Sequence, residues 1–429
     1  MKYQSYWHDT APVFSNPQRG PVAGSFDVAV IGGGFTGLNA ARKLAREGVS
    51  VALLEADHVG AGGSGRNGGH LNNGIAHGYA SAKAHLGTER AHALYKAYDR
   101  SIDMIEEVIA EEGIACDFRR AGKLKLASKP SHVDGLKANY ELIHREVDPE
   151  TRWLDKADLD GEIGSDAFHG GMLYEKTAMM HMGRYVTGLA EAAHRHGAQI
   201  WEAAPVTERT RSGSGWTLST PKGALKAGRV IVATGAYAGR AKPSPFQYFR
   251  RRIISVGSFI IATRPLMDAE VQKLLPGNRT YVTSMNIGNY IRLSPDNRII
   301  FGGRARFSAT SDQRSDAKSG EILKKSFAQV FPEFADIQID YCWGGLVGMT
   351  QDRYPRAGEH DGMIYGMGYS GHGAQMSTLI GQALADMAMG REGTNPLDGL
   401  DWPTIPMHSG TPWFLPLVGM WFGLKDRLS

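Results

Sequence analysis

Only two cysteines, Cys116 and Cys342, occur in the 429 residues. They stand far apart and belong to no CxxC pair or Cys/His ladder, so spacing argues for neither a disulfide framework nor a zinc site, and no metal is expected. A reducing, cytoplasmic setting is the expectation. Strong charge of one sign is also missing: 48 Lys+Arg against 44 Asp+Glu leave a formal +4, with the two signs interspersed. Phosphate-backbone binding needs a concentrated positive field, so nucleic acid is not an expected partner. Long apolar runs are absent as well. No window approaches the roughly 18 apolar residues of a membrane span, and the opening MKYQSYWHDTAPVF lacks the apolar centre of a signal peptide. What remains is a large globular chain, long enough for two or three domains and a core without covalent staples.

Glycine is plentiful. Among its 54 copies are clusters at 32–37, 60–69, 302–303, 344–348 and 366–373, with no fixed period. Clusters of that kind mark places where backbone must come close to something. Residues 26–55 read as one βαβ unit: the apolar FDVAVIG, a glycine turn, the helical LNAARKLARE stopped by Gly48, and a second strand, VSVALLE. Residues 89–112 carry Leu94, Tyr98, Ile102, Ile105 and Ile109 at helical spacing, with Gly113 as a left-handed stop. A helix at 184–196, the strand-like QIWEAAPV and GWTLST, and the buried-type RVIVATG at 229–235 return to the first sheet.

Residues 240–340 differ in texture, with RIISVGSFIIAT, NYIRLS and RIIFGGR separated by polar turns, as in an antiparallel layer. At 361–390 a strand, a glycine turn and an apolar helix repeat the grammar of 26–47. The expected fold is therefore α/β (α+β overall): a Rossmann-like dinucleotide-binding domain interleaved with a mainly antiparallel β-sheet substrate domain. Expected boundaries are 25–88, 155–240 and 336–392 for the former, 89–154 and 241–335 for the latter. Residues 1–24 form an N-terminal arm and 393–429 a C-terminal tail.

Gly32, Gly34 and Gly37 make G-x-G-x-x-G between strand and helix, and Glu55 ends the next strand 18 residues later. In that pattern the first glycine makes the tight turn, the second admits a pyrophosphate, and the third lets helix pack on strand. Phe35 and Thr36 open the helix, whose free N–H groups face phosphates, and Glu55 accepts from a ribose hydroxyl. A carboxylate there repels a 2′-phosphate, which disfavours NADP. The second cluster, GAGGSGRNGG, follows directly where a nicotinamide fold proceeds to its next helix. Its Ser64, Arg66 and Asn67 offer donors to a pyrophosphate and a polar ring edge. His70 could ligate or titrate, although a loop histidine bonded to its neighbours is commoner. The third element, GYSGHGAQ, opens a helix whose amides and positive dipole end suit a reduced flavin's charge. Together the three match FAD better than NAD, with a plain NAD dehydrogenase the alternative on the first fingerprint alone.

The GGGFTG fingerprint, the GAGGSGRNGG loop, YIRLSPDNRIIFGGR, WGGLVGMTQDRYP and YSGHGAQ occur in that order. The chain thereby resembles the D-amino-acid oxidase-like FAD-dependent amine oxidoreductases over essentially its whole length. With its N-terminal SYW and its WFLP…KDRL tail, it looks most like their gamma-glutamylputrescine oxidoreductase branch. The resemblance implies flavin contacts at Gly32, Gly34, Phe35, Thr36, Gly37, Glu55 and Ala56. It adds Ser64, Gly65, Arg66, Asn67, Gly68 and Gly69, then Val206, Ala233, Thr234 and Gly235. Gly371, His372, Gly373, Ala374 and Gln375 complete the set. It implies an oxidase or dehydrogenase of C–N bonds, acting on a small-molecule amine and giving electrons to oxygen or another acceptor. The cysteine that tethers flavin in the monomeric sarcosine oxidases would fall on Gly345, three residues from Cys342, and Arg66 replaces a tethering histidine. Non-covalent FAD is expected, and Gln375 replaces a carboxylate-binding lysine.

Tyr290, Arg292 and Arg304 lie in the layer that should cover the flavin, with Trp343 and Met349 arriving from the next segment. A guanidinium facing a carboxylate orients an amino-acid or glutamyl substrate bidentately. Tyr290, Arg304 and His372 are the catalytic candidates. The stretch 411–424, TPWFLPLVGMWFGL, is too short to span a membrane and is expected to pack back on the body, a membrane or partner contact being the alternative. A flavin-binding protein without amine turnover is the reading from another class.

Overall fold

The computed structural model describes residues 1–76, 78–238, 245–303 and 313–428, with side chains of 313–315 left undescribed. Parallel pairing begins in the first βαβ unit. Strand Ser25–Ile31 lies between Val51–Leu54 and Gly223–Val232, with Val28 opposite both Val51 and Arg229. Its residues Val28, Ala29, Val30 and Ile31 are all buried, as expected of a strand covered on both faces. Gln199–Trp201 extends one edge, and Met363–Met367 joins Gly223–Val232 in parallel. The hairpin Glu208–Ser212 and Gly215–Thr220 completes the far edge.

Helices Phe35–Arg46, Met182–Arg195 and Gly373–Ala388 share one apolar cluster with this sheet. Helix Thr88–Glu112 joins the same cluster through Leu94, Tyr98, Ile102 and Ile105. Gly113 ends it at φ 66 and ψ 37, the left-handed stop read from the sequence. Arg42, wholly buried, bonds Glu112 at 2.7 Å and ties the first helix to that long one.

The second sheet runs in the order Ile339–Met349, Ile254–Thr263, Ile299–Gly303, Asn289–Leu293, Thr280–Thr283, Lys123–Leu126, Gly170–Tyr174, Arg152–Asp155. All neighbours are antiparallel except Thr280–Thr283 with Lys123–Leu126. The mixed α/β class and its interleaving are as expected. Two boundaries are not, because Gly170–Tyr174 and Ile339–Met349 hydrogen-bond into this second sheet rather than the parallel one. Both strands are mostly buried, and an apolar run covered on two faces carries no sign of which sheet it joins.

The arm at 1–24 runs inward. Tyr6, Trp7 and Phe14 are buried, and Trp7 packs in the core cluster of the first sheet. Most of the stretch expected to fold back, 411–424, lies in helix Leu415–Leu428, in which Leu415 and Asp426 are buried, Val418 and Phe422 half-buried, and Leu417, Met420, Trp421, Leu424 and Leu428 exposed.

Candidate flavin site

The glycine turn after Ser25–Ile31 is held from three sides. Gly32 sits at φ 111, a conformation that glycine adopts freely, and a Cβ there would stand 2.7 Å from the Ala233 carbonyl. The turn thus meets the end of Gly223–Val232, where Ala233 N donates to Ile31 O at 2.9 Å. Glu55 accepts from Gly33 N at 2.6 Å and from Asp57 N at 2.9 Å. Burial pushes its carboxyl above the usual range, against the two amides and the nearby His58 that favour its charge. Ala56, beside it, is exposed, and Val206, beyond Gln199–Trp201, is half-buried against the apolar cluster that contains Trp201 and Leu225.

The 60–69 loop folds over that turn. Ser64 Oγ accepts from Phe35 N at 2.9 Å, so it fills one free amide at the helix start. Gly60 N donates to Gly33 O at 3.0 Å. The Arg66 side chain is spent on backbone: Nε donates to Ala61 O at 2.9 Å and an Nη to Gly344 O at 3.1 Å. Asn67 closes a turn by donating to Ser64 O and accepting from Gly69 N, both within 2.9 Å. Gly65 and Gly68 are tight for another reason: a Cβ on the first would strike His8 and the Gly60 carbonyl, and one on the second would stand 2.5 Å from the Tyr290 ring.

Two features of the loop were not legible in advance. Ser5 Oγ donates to Gly65 O and Trp7 Nε1 to Asn67 O, each at 2.6 Å. His8 Nε2 stands 3.1 Å from Gly60 O, and burial holds its ring down at about 4. The arm therefore grips the outer carbonyls of the loop. Arg292 is the other feature. Entirely buried, it donates to the carbonyls of Gly69, Met180 and Leu293, so its guanidinium is engaged by backbone and anchors the loop to the second sheet. Burial lowers its guanidinium to about 9.

The third element closes the site. Thr36 Oγ1 and Tyr369 OH are 2.6 Å apart, linking the first helix to the last glycine turn. Gly371 is exposed at φ 98, Gly373 packs on Tyr369, and Ala374 is half-buried in the first turn of Gly373–Ala388. Gln375 Nε2 donates to Asn72 O at 2.6 Å. His372 lies 5.6 Å from the Tyr98 ring, and burial followed by the Lys123 charge pushes it down to about 3. Thr234, beside Gly235 at φ 54, has a buried hydroxyl without a partner among the described residues.

From the cover sheet comes Tyr290, its hydroxyl 3.1 Å from Ser258 Oγ and its ring 5.4 Å from that of His70. His70 is a bonded loop histidine, facing Gly68 O at 3.1 Å and Ile291 O at 3.3 Å, and burial takes it to about 3. Trp343 Nε1 donates to Arg66 O at 3.1 Å. Arg304 lies outside the described residues. Cys116 and Cys342 are free and buried, and Cys342 Sγ contacts Asp316 O at 3.2 Å.

The description "FAD dependent oxidoreductase" belongs to the family whose sequence profile matches residues 27–387. The chain belongs to that family. It is thus an FAD-dependent oxidoreductase, with the cofactor that the three glycine elements called for. Among relatives, the probable oxidoreductase OrdL of Haemophilus influenzae is 34% identical over 382 residues, covering 88% of this chain and 86% of that protein. The gamma-glutamylputrescine oxidoreductase of Escherichia coli is 30% identical over 409 residues, covering 94% and 92% respectively. The fold is shared with the crystal structure of glycine oxidase from Geobacillus kaustophilus, at TM-score 0.75 and 24% identity over 88% of this chain and 98% of that one. The family's flavin fits the residues present. Gly32 and Gly34 lie where a Cβ would meet Ala233 O or Ser64 Oγ, and the Thr234 hydroxyl waits for a partner.

Proposed function

We propose that this enzyme oxidises a primary or secondary amine to an imine that hydrolyses, and that its electrons pass to oxygen. The substrate class is an amino acid, an N-substituted amino acid or a gamma-glutamylated amine. What carries the reading is the Tyr290 ring, seated between Gly68 of the flavin loop and Gly302 of the cover sheet, where a Cβ on either glycine would strike it. That ring bridges the 60–69 loop and the second sheet, and the likeness to gamma-glutamylputrescine oxidoreductase supports the substrate class.

The residues proposed to hold FAD are those of the glycine turn, Glu55, the 64–69 loop, Val206, Ala233, Thr234, Gly235 and the turn carrying Gly371, His372, Gly373, Ala374 and Gln375. Bound there without a covalent link, FAD supplies the two-electron acceptor. The protein supplies orientation and a neutral amine. An alkylammonium near pKa 10.4 gives up its proton at a cost of about 4–5 kcal/mol at pH 7. Desolvation against Tyr290 lowers that cost, and Arg304 on the following segment is the proposed partner for a substrate carboxylate. His372, held neutral by burial, is proposed as a polar neighbour of the flavin's pyrimidine edge. The two unpaired cysteines support a cytoplasmic setting.

Anaerobic bleaching of the bound flavin against glutamylated polyamines, N-methyl amino acids, glycine and simple amines tests the reading. Bleaching by glutamylated polyamines or amino acids is expected, and a flavin that no amine reduces would refute it. The outward apolar helix Leu415–Leu428 favours a second reading, a dehydrogenase serving a quinone or carrier. Peroxide released per turnover under air separates the two.

A further inference from the structure

Helix Leu415–Leu428 has two unlike faces. Trp413, Leu417, Met420, Trp421, Leu424 and Leu428 are each half or more exposed. Trp413 stands two residues before the helix, and at 3.6 residues per turn the other five fall in one sector roughly 100° wide, the width of an apolar stripe that ordinarily faces a core. Here the core-facing side is the other one. Leu415 is buried, and the Asp426 carboxylate accepts from Asn286 N at 2.9 Å, Asn286 Nδ2 at 2.7 Å and Ile287 N at 2.8 Å. Lys129 Nζ donates to the Asp426 carbonyl. The helix is therefore fixed to the body with its apolar stripe turned outward.

Charge selects the occupant. On the helical wheel Arg427 borders one side of the stripe and Lys425 the other, and both are exposed. Asp426 is the helix's one acid, and it is consumed by the inward bonds. The outer face thus combines the Trp421 indole, four aliphatic or thioether side chains and flanking cations, with no exposed carboxylate of its own, and the exposed Trp413 indole just precedes it. Indoles with one apolar body and one polar N–H favour the boundary between water and hydrocarbon. Cations beside them favour anionic headgroups. No helix among the described residues is long and apolar enough to cross a membrane, so contact is with the surface.

We propose that the enzyme docks peripherally on an anionic lipid bilayer through Trp413, Leu417, Met420, Trp421, Leu424 and Leu428, with Lys425 and Arg427 on the headgroups. Docking would bring the Asn286 turn to the membrane, and that turn leads directly into strand Asn289–Leu293 with Tyr290. The test is co-sedimentation of the full-length, FAD-loaded protein with phosphatidylglycerol–phosphatidylcholine vesicles and with phosphatidylcholine vesicles alone. Binding to the mixed vesicles is expected, with a blue shift of tryptophan fluorescence. Trp421→Ser combined with Leu417→Ser should abolish it, and Lys425→Glu with Arg427→Glu should weaken it about tenfold. Flavin content and melting temperature should stay at wild-type values in both variants, since these side chains contact solvent. Failure of the wild type to sediment with mixed vesicles overturns the proposal, as does equal binding to both vesicle types. Self-association that Trp421→Ser removes would overturn it too, by making the stripe an interface between copies of this chain.

Discussion

Trp7 Nε1 donates to the carbonyl of Asn67 at 2.6 Å, across 60 residues of sequence. The indole is wholly buried, with the Arg292 guanidinium 5.5 Å from its ring. Ser5, two residues earlier, holds Gly65 in the same way, so the arm fixes the 60–69 loop through its backbone carbonyls.

Trp7→Phe keeps an aromatic ring and removes one donor. Leaving a buried carbonyl unpaired costs about 1–3 kcal/mol, and the loop's freedom then has to be lost again when FAD binds. Titration of apoprotein with FAD should show a dissociation constant raised roughly five- to tenfold, with the substrate KM little changed. An unaltered FAD affinity would show that the arm merely packs.

Arg292 contributes to stability rather than to specificity. Its guanidinium serves three buried carbonyls and has no carboxylate partner among the described residues. Arg292→Lys cannot span three acceptors in one plane, and Arg292→Met leaves them all unpaired. Chemical denaturation should show a loss of about 3–5 kcal/mol for Arg292→Met. The ranking of amines by kcat/KM should be unchanged in the variant, and a reordered ranking would restore the guanidinium to the substrate site.

The parts of the site that could be read from the chain are the local ones. Gly32, Gly34 and Glu55 sit within one βαβ unit, where spacing alone fixes their relation. The loop from Ser64 to Gly69 could be read as a ligand cradle from its composition. Its supports could not, because Ser5, Trp7 and Arg292 act on backbone carbonyls, and any residue offers a carbonyl. That strand Ile339–Met349 pairs with Ile254–Thr263 in the second sheet is not legible in the chain, because burial on both faces erases the alternation that separates antiparallel from parallel strands. For the last helix, composition indicated an apolar segment, but the face it presents follows from where Asp426 finds its amides.

Acid should loosen the arm. His181 Nδ1 accepts from Arg184 N at 3.2 Å, so its proton sits on Nε2, which donates to Thr10 Oγ1 at 2.9 Å, and Thr10 in turn donates to Tyr6 O. Burial and the Arg184 charge lower His181 to about 3, and burial with the Arg292 charge lowers His70 to about 3. Both rings are neutral in the folded state and near 6.5 when unfolded, so the unfolded chain binds more protons below 6.5. Stability should hold above pH 6.5 and fall as pH drops from there toward 3, by up to about 1.4 kcal/mol per unit for each histidine. Urea midpoints at descending pH measure this. His181→Asn, which keeps an acceptor at the helix start, should flatten the slope, and an unchanged slope would acquit that histidine.

Lys123 gives the opposite test, on the alkaline side. It is buried, donates to Asn73 O at 2.8 Å and lies 3.9 Å from the centre of the Tyr174 ring. Burial is the main reason that its ammonium drops to about 7, with Lys125 adding to the shift while Asp99 and Asp148 oppose it. Above that value the folded side chain is neutral, whereas the unfolded one stays charged to about 10.4. The unfolded state therefore binds more protons, and this group's contribution to stability rises with pH from about 7 upward. Comparing wild type with Lys123→Met isolates it from other groups that titrate in the same range. Between pH 7 and 8.5 the wild type should gain stability on the variant by about 1 kcal/mol per unit, less than the full 1.36 because the folded side chain is only about half deprotonated at the start of that range. A difference that stays constant with pH would mean that the ammonium remains protonated in place, held by Asp99 and Asp148 more strongly than burial expels it.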